Sequence, residues 1–249
     1  KRNNMYQYLS YCYDSFMSDV DYDVWANRII GILGDRKKGI DCGCGSGNIT
    51  LRLKKAGYDV VGMDISPEML NVAKQNFIRN NVDIPLIKMD AEKLSVPGKA
   101  DFITAVCDVV NYMKSPGQFF ARAYSALNNG GVLIFDISSK YKLTEIIGNN
   151  VFTDSSGDTT YIWTNHLSNK KNKVEMYLTF FIKNSSGSYD KREERQVQYI
   201  YESDQLISLL KGNGFTKVMS GGFEGKRNRN LEQRLFFVAY KGIVNEKDL

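Results

Sequence analysis

The chain has 249 residues, 43% of them hydrophobic and 24% charged, with a formal net charge of +5. That is length for one large domain or one domain with an insertion, and apolar content for a sizeable core, which excludes a disordered or low-complexity chain. The basic residues fall in short clusters, Lys54-Lys55, Lys170-Lys171-Lys173 and Lys226-Arg227-Arg229, a pattern that reads as solvated surface and argues against a nucleic-acid groove.

No apolar run reaches membrane-spanning length and no signal peptide is visible, so a cytoplasmic protein without a membrane partner is expected. Lys1 in first place leaves room for a few residues before it. The four cysteines, Cys12, Cys42, Cys44 and Cys107, form no C-x-x-C pair. They read as reduced thiols, and no His and carboxylate cluster has the spacing of a metal site.

Residues 5–34 read as helical. Val24, Trp25, Ile29, Ile32 and Leu33 recur at helical spacing, acidic Asp21 and Asp23 suit the helix start, and Gly34 suits its end. From residue 39 the pattern changes to short apolar strands, expected at Gly39–Cys44, Asp59–Ile65, Ile84–Met89, Asp101–Cys107 and Gly131–Ile137. Helices are expected between them near 47–56, 67–80 and 116–128. Ser66-Pro67-Glu68 is an N-cap, a first-turn proline and an acidic first turn, and Asn129-Gly130-Gly131 reads as a stop before the fifth strand. Strand–helix alternation with continuous apolar strands implies a doubly wound α/β fold on a mainly parallel sheet.

Residues 150–202 break that rhythm. Val174, Met176, Leu178, Phe180 and Ile182 alternate with Glu175, Tyr177, Thr179 and Phe181, a period of two, and turn-rich linkers such as Asn184–Ser188 separate similar runs. This is read as a small antiparallel β insertion after the fifth strand. A helix at 203–212 and strands near 216–221 and 235–241 return to the first pattern. The organisation expected is a helical cap at 1–38, an α/β domain from 39–149 with 203–249, and an inserted β lid at 150–202.

The stretch Asp41-Cys-Gly43-Cys-Gly45-Ser-Gly47 sits where the first strand turns into the next helix, at the carboxyl end of a parallel strand where ligands bind. Asp64 ends the second strand, where a carboxylate can accept bonds from both ribose hydroxyls, and Asp90-Ala91 follows the third. The glycine spacing departs from the dinucleotide fingerprint, since Asn48 stands where its last glycine would be. With Asp41 before the loop and no basic residue within it, the loop suits a cofactor carrying an ammonium and no phosphate.

Taken in order, Asp41-x-Gly43-x-Gly45-x-Gly47, Asp64, Asp90-Ala91, Asp101–Cys107 and Gly130-Gly131-Val-Leu-Ile resemble the class I S-adenosylmethionine-dependent methyltransferases over roughly residues 39–137. That resemblance implies a seven-stranded mixed sheet of order 3-2-1-4-5-7-6 with an antiparallel last strand, and S-adenosylmethionine as cofactor. It implies the Asp41–Gly47 loop at the methionine end, Asp64 on the ribose, Ile65 and Met69 beside the adenine, Asp90 and Ala91 at its edge, and Cys107 near the methionine amine. For Ile65, Met69 and Cys107 the other reading is core packing, and for Asp64 it is a helix cap.

The segment Tyr11–Met17 with Tyr22–Trp25, and the run Cys107-Asp108-Val-Val-Asn111-Tyr112, resemble the small-molecule subgroup, in which Tyr13, Tyr22 and Trp25 would close over the cofactor. The last run does not match the N-P-P-Tyr type. The expected reaction is in-line methyl transfer to a nitrogen or oxygen of a small molecule, in which positioning can supply ~7–11 kcal/mol of barrier reduction. His166, the single histidine, is a candidate base in the insert, with Tyr13 and Asn111 as further candidates and Tyr22 and Asp108 as polar lining. His166 also reads as a plain surface residue. Tyr161, Trp163, Tyr177, Phe180, Phe181, Tyr199 and Tyr201 mark either an apolar or cationic acceptor pocket or the insert's own core. The partner expected is a small-molecule acceptor, acting on a monomer or homodimer. The competing readings are an RNA or protein methyltransferase on the same core, a nicotinamide-dependent oxidoreductase, and a non-catalytic cofactor-binding regulator.

Overall fold

In the computed structural model, residues 20–168, 170, 172–226 and 228–242 are described. Helix α1 (Tyr22–Leu33) precedes strand β1 (Lys38–Cys42), α2 (Asn48–Lys55), β2 (Asp59–Asp64), α3 (Pro67–Arg79), β3 (Leu86–Lys88), β4 (Ala100–Ala105), α4 (Pro116–Ala126) and β5 (Leu127–Ser138). Four strands follow, β6 (Val151–Ser156), β7 (Thr159–Ser168), β8 (Lys173–Lys183) and β9 (Tyr189–Tyr199). Helix α5 (Ser203–Gly212) and strands β10 (Lys217–Gly222) and β11 (Arg234–Tyr240) complete the order.

The first sheet runs β3-β2-β1-β4-β5-β11-β10, with β11 antiparallel to both its neighbours, as the family resemblance implies. Alternation along each strand divides the core between two faces. Ile103, Ala105, Leu133 and Phe135 pack with Phe119 and Phe120 of α4 and Leu206 and Leu210 of α5. Phe102, Val132 and Ile134 pack with Trp25, Ile29 and Leu33 of α1 and with Leu53 of α2. Burial of such a side chain contributes ~1.5–3 kcal/mol, so these two layers account for most of the apolar driving force.

The local signals behave as their chemistry dictates. Asp21 accepts bonds from the Asp23 and Val24 amides and caps α1, while Ser66 Oγ accepts from the Met69 amide with Pro67 in the first turn of α3. Val24 is about half exposed, so the buried stripe of α1 is Trp25, Ala26, Ile29 and Leu33. The part of the expected first helix before residue 20 lies outside the described residues. Gly130, with φ of +78°, does not delay the fifth strand. β5 begins earlier, at Leu127, and the glycines are absorbed where its register against β4 shifts between Ala100 and Phe102.

The second sheet, β6-β7-β8-β9, is antiparallel throughout and enters the chain between β5 and α5. Its inner face carries Val174, Met176, Leu178 and Phe180 against Leu143 and Ile147 of a single π-helix, Lys142–Ile147, which leads out of β5. On β9 the inner positions are polar: Glu194, Gln196 and Gln198 are all buried. No helix among the described residues is long and apolar enough to cross a membrane.

Candidate active site

Two cavities open at the carboxyl ends of β1, β2 and β4. The first is lined by the loop after β1, by the ends of β2 and β3, and by the turn after β4. Gly43, Gly45 and Gly47 all have positive φ, between +54° and +80°. At Gly43 a Cβ would meet Val109 at 2.4 Å, and at Gly47 it would meet Phe77 at 2.6 Å. The first and third glycines are therefore required by both dihedral and space, and the loop backbone itself forms the cavity wall.

Asp41 is buried at the end of β1. Its carboxylate accepts from Thr50 Oγ1 at 2.6 Å and Thr104 Oγ1 at 2.7 Å. Burial pushes this carboxyl up to about 6, with the two hydroxyls pulling the other way. Asp64 is also buried, with one oxygen accepting from the Gly45 amide at 2.9 Å and the other from the Ser66 amide at 2.8 Å. Burial raises its carboxyl above the usual range against those two amide bonds. One acid thus ties the glycine loop to Ser66, which itself caps α3, and still lines the cavity. Ile65, which is 46% exposed, and Met69, which is 2% exposed, flank the same space, with Asp90 and Ala91 opposite.

The lining of this cavity includes Asp41, Asp64, Asp90 and Glu92 and, among the described residues, no lysine or arginine. A pyrophosphate would find no countercharge there, whereas a sulfonium and an ammonium would. The donor set therefore fits a cationic nucleoside cofactor. Cys107 and Asp108 follow β4 in successive left-handed conformations (φ +63° and +57°), a strained turn of the kind that clusters at functional sites. The Cys107 thiol is raised by burial and by the Asp136 charge, so it stays neutral.

The second cavity lies between the first sheet and the inserted one, and Cys107 and Tyr112 line both cavities. Its walls include Trp25, Phe152, Tyr161 and Trp163, and a polar network unforeseen from the sequence. Arg234, at the start of β11, pairs with the buried Asp136 of β5 and with Asp108 at 3.2 Å. Gln198 Nε2 donates to Asp108 at 2.6 Å, Tyr112 Oη donates to Gln196 at 3.0 Å, and Gln196 Nε2 donates to Glu194 at 2.7 Å. Burial holds the Asp136 carboxyl above the usual range, and its pairing with two acids holds the Arg234 guanidinium firmly charged. Two signals point to these groups: a lone acid near the end of the apolar run Val132–Ile137, and polar residues at every second position of 194–198.

A methyltransferase-domain family matches residues 40–135. A protein of Geobacillus sp. (strain WCH70) that carries a methyltransferase name is 32% identical, over 95% of this chain and 99% of its own length. The chain belongs to the class I S-adenosylmethionine-dependent methyltransferases. Its cofactor is S-adenosylmethionine, in keeping with the acidic first cavity. A solved S-adenosylmethionine-dependent methyltransferase of Clostridium acetobutylicum ATCC 824 superposes on this methyltransferase with a TM-score of 0.84 at 28% identity, covering 96% of this chain and 100% of that one. A ubiquinone biosynthesis O-methyltransferase of Methylococcus capsulatus (strain ATCC 33009 / NCIMB 11132 / Bath) is 30% identical over 45% of this chain and 49% of its own length.

The structure redistributes several expected residues of the methyltransferase. Tyr22 lines the first cavity, but Trp25 lines the second and stacks on Phe223 at 4.1 Å. Tyr13 lies outside the described residues. His166 is exposed and packs edge-on against Tyr177. The period of two places it on the face opposite Trp163 and Asn165, which removes it from either cavity. Asn111 is fully buried. Its amide nitrogen donates to the Ser138 and Tyr199 carbonyls and its oxygen accepts from the Ser138 amide, so its side chain is engaged by backbone and it lines neither cavity. Of the aromatic residues, Tyr161 and Trp163 reach the second cavity, Phe180 is buried in the insert, and Tyr177 is exposed on the outer face.

Proposed function

We propose that this methyltransferase moves a methyl group to a nitrogen or oxygen atom of a small molecule held in the second cavity. The observation that carries the reading is the junction of the two cavities at Cys107 and Tyr112, with the inserted sheet closing over one of them. When bound, the cofactor supplies a methyl group already made electrophilic by the sulfonium that bears it.

The chain's own residues then have to bind and align. Asp41 and the glycine loop face the methionine end, Asp64 offers its remaining lone pairs to the ribose hydroxyls, and Ile65 and Met69 flank the adenine. Asp90, already capping a short helix through the Glu92 amide, would accept from the adenine amine, with the Ala91 amide beside it. On the acceptor side, Tyr112, Gln196 and Asp108 form a fixed polar wall next to the junction. The rings of Tyr161 and Trp163 and the inserted sheet exclude water, which strengthens each polar contact at the transfer point. The concave cavity between the two sheets, and the O-methyltransferase name borne by one relative that matches 45% of the chain, support a small acceptor.

The test is calorimetric binding of S-adenosylmethionine and S-adenosylhomocysteine, followed by a screen of small amines, phenols and hydroxy acids for release of S-adenosylhomocysteine. Turnover of a small acceptor that falls at least about tenfold in Gln196→Ala, at a residue that lines the second cavity but not the first, with cofactor affinity kept, supports the reading. Methyl transfer to bulk RNA or protein but to none of the small acceptors would overturn it.

A further inference from the structure

Resting on the acceptor reading of the second cavity, we infer that Lys142 is a specificity residue and that the acceptor carries an anionic oxygen group, a carboxylate or a phosphate, which its ammonium and the Trp163 indole N–H receive together. Lys142 is the first residue of the π-helix after β5, an irregularity often found at functional sites. The helix turns Leu143 and Ile147 into the insert's core, and Lys142 lines the cavity, partly buried.

Each acid lining the same cavity already has a partner. Asp108 is held by Arg234 and Gln198, and Glu224 pairs with Lys226 at 2.6 Å. Asp21 caps α1, and exposed Asp154 accepts from the Ser155 amide. Among the described residues, the Lys142 ammonium makes no hydrogen bond or ion pair. Trp163 lines the same cavity, and its Nε1 is buried and also lacks an acceptor. Gln198 Oε1, buried in the same lining, lacks a donor, so the matching occupant brings acceptor oxygens to the two donors and a hydroxyl or amine hydrogen to Gln198. Burial and the nearby Arg234 charge hold the Lys142 ammonium below its ordinary value despite the opposing charges of Asp108, Asp136 and Glu224, a penalty that an incoming anion would relieve.

The location argues for anchoring over proton transfer. Lys142 lines the second cavity but not the first, whereas Cys107 and Tyr112 line both. It therefore grips the end of the acceptor remote from the transferred methyl. The aromatic residues alone suggest a cationic or neutral guest, and Lys142 reverses that expectation.

The chain's two tryptophans, Trp25 and Trp163, both line this cavity, so intrinsic fluorescence reports its occupancy. With S-adenosylhomocysteine present at a saturating level, the probes are phenylacetate, phenyl phosphate, the neutral phenylacetamide and benzylamine. One of the two anions should bind at least about tenfold more tightly than phenylacetamide, and the better anion names the group. Lys142→Met should erase that preference, Lys142→Arg should keep most of it, and Trp163→Phe should weaken it, read by calorimetry for that variant. Lys142→Met should still bind S-adenosylhomocysteine like the wild type, which shows that it is folded. Absence of any preference for the anions, tighter binding of benzylamine, or a preference that survives in Lys142→Met would overturn the inference. Failure of S-adenosylhomocysteine to bind the wild type would instead strike the methyl-transfer reading, which separates the two.

Discussion

Asp41→Asn is the substitution with the most to say about the cofactor cavity. In the protein without ligand, burial holds the Asp41 carboxyl up to about 6, against an ordinary value of 3.8. Because this value is raised, the group's contribution to folding is fully present below about 4. It is lost as the pH rises through about 6, at a cost of up to about 3 kcal/mol. The ammonium of a bound cofactor reverses the sense, since it is attracted by the ionised form. Asp41 is about nine-tenths protonated at pH 5 and about nine-tenths ionised at pH 7, so affinity should fall about tenfold from pH 7 to pH 5, ~1.4 kcal/mol.

In Asp41→Asn the amide can still bond Thr50 and Thr104, because a hydroxyl turns to accept where it formerly donated. The variant should be more stable than the wild type at pH 7 without ligand, bind S-adenosylhomocysteine more weakly there, and show a much flatter pH dependence. Calorimetry at pH 5, 6 and 7, in buffers of different ionisation enthalpy, should also detect net proton release near pH 5.5 in the wild type alone. An affinity that is level across this range, or a slope of unchanged size in the variant, would refute the placement of the ammonium at Asp41.

Arg234→Met strands two acids, Asp136 and Asp108, and should cost about 3–5 kcal/mol in urea denaturation at pH 7.5. The loss should shrink as the pH is lowered, because burial holds the Asp136 carboxyl above its ordinary value and protonation removes the stranded charge. Gly47→Ala should cost about 2–3 kcal/mol and abolish cofactor binding, because its Cβ would strike Phe77. Gly57→Ala, equally left-handed but in open space, should cost only about 1 kcal/mol, which isolates the packing term. His166→Ala should alter stability by less than about 0.5 kcal/mol and leave the rate of methyl transfer unchanged; a tenfold loss of kcat would restore it as a base. Asn111→Ala should lower stability by about 2–4 kcal/mol through its lost backbone bonds, while KM and kcat measured below the melting range stay near wild type.

The cofactor half was legible because its signals are local. A strand that ends in an acid, a glycine run and a capped helix each lie within a few residues, so Asp41, Gly43, Gly45 and Asp64 could be placed in order. The second cavity is assembled from segments far apart in the chain. Asn111 and Asp108 are equally polar in sequence, yet one spends its amide on the backbone of β5 and β9 and the other faces a cavity. Only the packing of a sheet inserted between β5 and α5 separates them. The same holds for His166, whose side of β7 depends on the register of that sheet. Arg234 and Lys142 look like surface charges until the fold brings both beside Asp136.

The strained turn after β4 has one further consequence. Cys107 lines the first cavity as well as the second, Asp108 lines the second, and the two are neighbours in the chain. Their Cα atoms are therefore held about 3.8 Å apart by a planar peptide unit that neither stretches nor twists appreciably. Whatever breathing the inserted sheet undergoes, the first cavity and the Asp108 edge of the second stay joined through a single amide plane. A family of such enzymes could therefore exchange its guests by rewriting β7 and β9 while leaving that ruler untouched.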